Sequence, residues 1–197
     1  MAYYKKKETS ARTKILDASW KLFLDQGYAN TTINQIIEES GTSRGAFYHH
    51  FRGKEELLFQ LASHYDSTYE DWLDNVPSDI SPDQKLLRFS QYVMKGLETS
   101  RFVTLLPCLY GLEVMTEYGR PIINPDRKYY QIVLSIIKEG LESGCFQSEL
   151  SPNELTEYYT ILERGLTYDW LLKQRRYSLS QYAERIISAF VARITKR

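Results

Sequence analysis

An all-helical fold follows from three features of this 197-residue sequence. Helix start and stop signals recur along it. Apolar residues repeat at steps of three and four between those signals. No segment carries the sustained alternation or the Asn-Gly type turns of hairpins. The starts are four Ser/Thr-x-x-Glu/Gln boxes: Thr32 with Gln35, Ser81 with Gln84, Ser151 with Glu154, and Ser178 with Gln181. In each, the hydroxyl can accept from an orphan first-turn amide while the later side chain reaches back. Pro82 and Pro152 take the first helical position, where no backbone amide is missed, and Asn124-Pro125-Asp126 offers a further start. Gly27, Gly41 and Gly144 are stops, because a left-handed residue is cheap only for glycine. These signals predict nine helices near 10–26, 33–40, 44–51, 54–75, 82–98, 101–118, 125–143, 152–173 and 179–195. The stretches 75–81 and 119–124 are the main loops, and Met1–Glu8 is a basic arm.

Composition narrows the function classes. A hydrophobic content of 43% supports a sizeable core and argues against global disorder. Formal net charge is zero, yet residues 1–55 carry nine Lys/Arg against six Asp/Glu, and the remainder is correspondingly acidic. Only the first quarter has the sign a phosphate backbone attracts. The excess is modest, so DNA binding must rest on geometry and on two copies. Cys108 and Cys145 form neither a disulfide framework nor a metal-type spacing, which fits a reducing compartment. The opening MAYYKKKETS lacks the apolar stretch of a secretory signal, and no apolar run is long enough to span a bilayer. A soluble cytoplasmic protein without metal or cofactor is expected.

Residues 31–51, TTINQIIEESGTSRGAFYHHF, carry the most specific signal. Thr32 caps a short helix striped by Ile33, Ile36 and Ile37. Gly41 ends it, and Ser43 caps the next after a tight turn. Phe47 and Phe51, four apart, anchor that second helix to the core. Arg44, Gly45, Tyr48 and His49 are left on its outer face. Two short helices joined this way form a helix-turn-helix (32–51) that sets a recognition helix in the major groove. Arg44 offers a forked donor for guanine or phosphate. Gly45 lets the backbone approach closely. Tyr48 and His49 have polar tips suited to phosphate, and Lys54 opens the following helix, where charge and free amides attract an anion. Thr32 and Ser43 can add hydroxyl or amide contacts. Tyr48 can alternatively be a core aromatic. His50, beside Phe51, reads as structural. His49 and His50 make poor metal ligands, pointing about 100° apart with no third ligand nearby.

Here the chain resembles the TetR/AcrR repressors. The resemblance is carried by Gly27-Tyr28, Thr31-Thr32, Ile36, Gly41-Thr42-Ser43, Gly45, Phe47-Tyr48, His50-Phe51, and Lys54-Glu55 with Leu57, over roughly residues 9–65. Ser40-Gly41 replaces the family's usual Ala-Gly, a small-for-small exchange. The resemblance implies DNA contacts from Thr32, Thr42, Ser43, Arg44, Gly45, Tyr48, His49 and Lys54. It also implies a DNA-binding part at 1–53 and a ligand-binding and dimerisation part at 54–197. Repression is usual in the family, although the residues leave repressor and activator open.

The C-terminal part reads as helices with broad apolar surfaces. The segment FVTLLPCLYGLEVM is apolar nearly all round, and Pro107 inside it predicts a kink or break. Phe102, Leu106, Leu109/Tyr110 and Glu113 fall on one stripe. A carboxylate there either meets a cationic or hydrogen-bonding ligand or pairs with a neighbouring helix, because burying it unpaired is costly. Phe102, Leu106, Tyr110, Glu113 and Tyr130 form a candidate effector pocket, whereas the many other tyrosines, Tyr118 among them, suit such a pocket or, one by one, ordinary helix packing. Cys108 reads as a redox sensor or an inert buried thiol.

In the penultimate helix Leu155, Tyr159, Leu162, Leu166 and Trp170 form a long stripe, and Tyr158, Ile161, Gly165 and Tyr168 a second. In the last, Leu179, Tyr182, Ile186, Phe190 and Ile194 do the same. Two broadly apolar helices need the body or a second subunit. The family implies a four-helix homodimer interface, for which Leu162, Leu166, Trp170, Tyr182, Ile186 and Phe190 are the candidates.

The sequence therefore points to a non-enzymatic, DNA-binding transcriptional regulator. Its expected partners are a palindromic double-stranded operator, a small-molecule effector and a second copy of itself. An enzyme is disfavoured because no nucleophile elbow, phosphate loop or metal spacing occurs. The alternative is a helical small-molecule-binding or interaction protein that does not touch DNA.

Overall fold

The computed structural model describes residues 10–77, 79–117 and 119–196. The basic arm Met1–Glu8 and Tyr118 lie outside the described residues. Among the described residues are nine α-helices: α1 Ala11–Gln26, α2 Ile33–Ser40, α3 Arg44–His50, α4 Lys54–Asn75, α5 Pro82–Thr99, α6 Leu106–Met115, α7 Lys128–Glu142, α8 Pro152–Leu172 and α9 Leu179–Ile194. No β-strand is found among them; a lone bridge between Phe146 and Thr195 ties the α7–α8 loop to the chain end. None of these helices is long and apolar enough to cross a membrane.

Local chemistry explains most helix ends. Thr32 and Ser151 form complete capping boxes with Gln35 and Glu154. Ser178 accepts from the Gln181 amide, half of the expected exchange. Ser81 makes no side-chain cap, and Pro82 alone sets the start of α5. Gly41 sits at φ 61°, in the left-handed region, and closes α2 with its amide on Glu38.

Two expectations need correction. The helix expected at 101–118 is a short 3₁₀ turn, Val103–Leu105, followed by α6 at Leu106–Met115. Pro107 lies in the first turn of α6, where its missing amide costs nothing. The proline thus starts a helix, and Phe102 and Glu113 share no helical stripe. The helix expected at 125–143 begins later, at Lys128. Asn124 Oδ1 accepts from the Asp126 amide and the Arg127 amide bonds to the Asn124 carbonyl, so Asn124-Pro125-Asp126 closes a turn.

Helices α1, α2, α3 and the start of α4 enclose Ile15, Phe23, Ile36, Phe47, Phe51 and Leu57 in a shared core. Trp20 Nε1 donates to the Leu57 carbonyl at 3.1 Å, locking α1 to α4. At 22 residues, α4 is about 33 Å long. Its first half belongs to that core, whereas Tyr65, Tyr69 and Trp72 pack into the C-terminal body, with Tyr69 and Trp72 against Phe89 of α5. The body is a bundle in which α5 lies against α9 and α7, and α8 against α7 and α9. Gly140 of α7 is required there: a Cβ at that position would sit 2.1 Å from the buried Phe146 ring.

Candidate DNA interface and inner cavity

The outer face of α3 is built by what its inner face buries. Phe47 and Phe51 are buried in the core that also holds Ile36 and Ile15. The Ser43 hydroxyl accepts from the Ala46 amide at 3.1 Å, fixing the first turn. Arg44, Gly45, Tyr48 and His49 are consequently exposed, Tyr48 to 47%. Tyr48 stands edge-on to Phe47, so its ring is braced without being part of the core. Arg44 donates to Asn34 Oδ1 at 3.2 Å and lies 5.7 Å over the Tyr48 ring. Asn34, which sequence reasoning did not single out, orients the guanidinium.

The other members of the set are occupied to different degrees. The Thr32 hydroxyl is engaged with Gln35 and that of Ser43 with its cap, which leaves exposed helix starts. Thr42 is half-buried and shares a hydrogen bond with Ser40. The ammonium of Lys54 points inward. It donates to the carbonyls of Tyr28 and Thr31, both at 2.8 Å, and sits 4.3 Å over the Tyr28 ring. Lys54 therefore holds the α1–α2 loop against α4, and its charge is largely spent there.

In the body, a cavity of about 70 Å³ lies between α4, α5, α6, α7 and α8, with Tyr65, Tyr69, Leu106, Tyr110, Arg127 and Glu163 among its walls. Leu106 and Tyr110 are where the sequence put them; the other three candidates are not in its lining. Phe102 is packed edge-on between Trp20 and His64, joining the 3₁₀ turn to α1 and α4. Tyr130 reaches towards the Asn153 carbonyl at the start of α8. Glu113 is buried and accepts from the Ile122 amide at 3.1 Å. Burial pushes its carboxyl up, while that amide and the nearby Arg127 and Arg120 pull it down. It makes no ion pair among the described residues, so neither a pocket wall nor the expected salt bridge is its role. It fastens the α6–α7 loop.

The carboxylate that does reach the cavity is Glu163, 2% exposed. Its Oε1 accepts from Ser90 Oγ and from Tyr159 Oη, and its Oε2 from Tyr129 Oη. Burial is the chief influence on it and raises its pKa; the three hydroxyls oppose this. Glu163 lies four residues beyond Tyr159 and three before Leu166, on the very stripe read from the sequence. The cost of burying a carboxylate among apolar neighbours, which singled out Glu113, applies equally there.

The proposed dimer residues also divide. Leu166, Trp170 and Phe190 are buried within the protomer, and Leu162 is half-buried. Trp170 Nε1 donates to the Tyr177 carbonyl, and Phe190 packs against Tyr158 and Tyr159. Tyr182 and Ile186 are exposed. The outward apolar stripe of α8 is instead Tyr158, Ile161, Tyr168 and Leu172, with Gly165 between.

Comparison with known proteins agrees with this architecture. The sequence profile of bacterial regulatory proteins of the tetR family matches residues 15–61. The HTH-type transcriptional regulator LmrA of Bacillus subtilis is 52% identical over 142 residues, covering 70% of this chain and 75% of LmrA. The uncharacterized HTH-type transcriptional regulator YerO of the same organism is 35% identical over 170 residues; the match covers 81% of this chain and 54% of YerO's length. The crystal structure of the regulator FadR from Bacillus subtilis, in complex with stearoyl-CoA, superposes with a TM-score of 0.70 at 19% identity, over 92% of this chain and 98% of that one, and so shares the fold. With the helix-turn-helix in place and LmrA matched across most of its length, the chain belongs to the tetR family of bacterial regulatory proteins, as a DNA-binding transcriptional regulator and not an enzyme.

Proposed function

We propose that the chain is a cytoplasmic homodimeric repressor that holds a palindromic operator and releases it when a small molecule enters the body. The observation that carries the DNA reading is the outer face of α3. Arg44 and Tyr48 are braced in place, yet neither is buried. Among the described residues Gly45 has only Ser43 Oγ, at 3.8 Å, near the place of a Cβ, so none of them demands glycine. A close approach by DNA does. Arg44, Gly45, Tyr48 and His49 would make the groove and backbone contacts. Thr32, Thr42, Ser43 and Lys54 would contribute helix starts and placement of the loops. Residues 1–53 then act as the reading part and 54–197 as the sensing and pairing part.

Dimerisation is supported by the unpartnered apolar stripe of α8 beside Tyr182 and Ile186 of α9. Gly165 sits on that stripe, and a Cβ at its position would meet nothing within 4 Å. Glycine costs helix stability there, and a second copy packed closely across the stripe accounts for it. Effector binding is supported by the inner cavity beside α4, the helix that also carries the reading part. FadR, of the same fold, holds stearoyl-CoA.

Selection of bound fragments from a random double-stranded DNA library by the full chain tests the reading. Two inverted half-sites, centred about 34–36 Å apart or a multiple of it, are expected. A single unrepeated site, or no enrichment at all, would overturn it.

A further inference from the structure

We infer that the effector is an anionic molecule, a carboxylate on an aromatic or apolar body, and that its carboxylate takes the place of Asp66 on Arg127. The inference rests on the effector-responsive reading above and gives that site its chemistry. Arg127 stands in the wall between two spaces. It lines the inner cavity, and it also lines an open groove of about 1190 Å³ between the first half of α4 and the α6–α7 segment. A molecule in either space can reach its guanidinium.

That guanidinium is already holding a carboxylate. Arg127 Nη2 donates to Asp66 Oδ1 at 2.8 Å and Nε to Asp66 Oδ2 at 3.0 Å, a two-pronged grip. Oδ1 also accepts from the Tyr129 amide at 3.3 Å. The pair is partly covered, with side-chain exposures of 14% and 17%. The geometry is the fork-on-carboxylate recognition that arginine provides for an external acid. Here the acid is supplied by α4.

The charges around the cavity favour an anion. Its wall carries two guanidinium groups, Arg127 and Arg164, and one carboxyl, Glu163, whose charged form burial disfavours. Both oxygens of Glu163 are taken by hydroxyls of the chain itself. Arg164 donates to Thr160 Oγ1 at 3.2 Å and has no ion pair among the described residues. A cationic guest would meet two guanidinium groups; a carboxylate would meet them as partners. Exchange of one carboxylate for another on Arg127 preserves the charge pairing, and Asp66, whose side chain is already 17% exposed, is rehydrated as it leaves. Tyr65, Tyr69 and Tyr110 offer the apolar body ring surfaces.

The exchange has a direction. Asp66 is on α4, whose first turn at Lys54 clasps the α1–α2 loop. Release of Asp66 removes the only carboxylate grip of α4 on Arg127 among the described residues. It leaves the Arg127 bond to the Ala62 carbonyl and the Lys128–Glu70 pair, and so loosens, without detaching, the hold of the body on α4. An effector acts only by its preference for the released state.

The test uses three matched probes: 3-phenylpropionate, 3-phenylpropan-1-ol and 3-phenylpropylamine. Binding to the full chain is measured by calorimetry and melting temperature, and operator affinity is measured in parallel. Asp66→Asn removes the competing carboxylate. It is expected to bind 3-phenylpropionate about tenfold more tightly than the unmodified chain, with the alcohol and amine unchanged. Without any probe, Asp66→Asn is expected to hold operator DNA about 5- to 150-fold more weakly. Asp66→Asn/Arg127→Gln, which avoids an unpaired guanidinium and so guards against misfolding, should lose the gain for the acid. Equal affinity of Asp66→Asn and the unmodified chain for 3-phenylpropionate would overturn the inference, as would equal gains for all three probes. If the alcohol or the amine releases the operator and the acid does not, the effector-responsive reading survives and the anionic one fails. If the acid binds as expected and never changes operator affinity, the anion site stands and the release reading fails.

Discussion

Arg44 and Lys54 are both cations at the edge of the reading part, and their surroundings give them different work. Arg44 is exposed and, among the described residues, held by Asn34 and the Tyr48 ring. Arg44→Ala and Tyr48→Ala should each weaken operator binding while leaving the melting temperature within experimental scatter. A base contact by Arg44 should cost about 1–3 kcal/mol of discrimination at one base pair. Fluorescence anisotropy against single-position operator variants reads both effects, and unchanged affinity for both substitutions would remove α3 from the interface. Lys54→Met should behave otherwise, because the loop carbonyls of Tyr28 and Thr31 lose a charged donor. A stability loss of about 2 kcal/mol is expected, seen as a lower denaturation midpoint together with weaker DNA binding. Glu163 gives a residue-level dependence on pH. Its folded pKa is raised, chiefly by burial. A raised value means the group contributes stability below its unfolded pKa and loses it as pH rises through the folded one. The melting temperature of the unmodified chain minus that of Glu163→Gln should therefore fall as pH is taken from about 5 to about 8. A difference that stays flat or grows with pH would contradict the burial argument.

At the scale of elements, α8 shows both the reach and the limit of a sequence. Its start was legible, because Ser151, Pro152 and Glu154 state a complete cap and the structure forms it. Which of its apolar faces turns inward was not, because a helix apolar on two sides carries no local sign of its neighbours. The decision comes from tertiary partners: Trp170 finds the Tyr177 carbonyl, and Glu163 finds Ser90, Tyr129 and Tyr159. The same holds for α6, where Pro107 read as a break inside a helix and instead opens one. By contrast, the helix-turn-helix was legible to within a residue, since caps, a left-handed glycine and two phenylalanines fix it locally. The two faces of α8 predict opposite outcomes for the same substitution. Ile161→Asp, on the exposed stripe, should leave the protomer folded with about 0.5 kcal/mol or less of its own stability changed, and should halve the mass seen by light scattering. Leu166→Asp, on the buried face, places an unpaired charge in the core at about 3–5 kcal/mol, so it should unfold or aggregate. An Ile161→Asp chain that remains a dimer would move the interface away from α8.

The whole molecule has no net charge, so long-range attraction does not bring it to DNA as a single positive body. Attraction comes from the basic first quarter, and one seven-residue recognition helix contacts too few base pairs to be selective alone. In the proposed dimer two reading parts act together, held at a fixed separation by the contact between copies across α8 and α9 and by the length of α4. Two consequences can be measured. Counterion release scales with the phosphates neutralised, with a slope of about −0.9 per contact on duplex DNA. The dimer on a full operator should thus show about twice the salt slope of the Ile161→Asp chain on one half-site. The second consequence is geometric. Half-sites must face the same side of the duplex, which repeats about every 10.5 base pairs. Inserting five base pairs at the centre of the operator turns one half-site to the far side, where the second reading part cannot follow without breaking the dimer contact. Binding should fall to the level of a single half-site. Inserting ten base pairs restores the face and lengthens the span by about 34 Å, which a continuous α4 packed into the body cannot supply, so affinity should remain low. Full affinity after the five-base-pair insertion would mean that each reading part binds independently, and a fixed separation between the two would then be untenable.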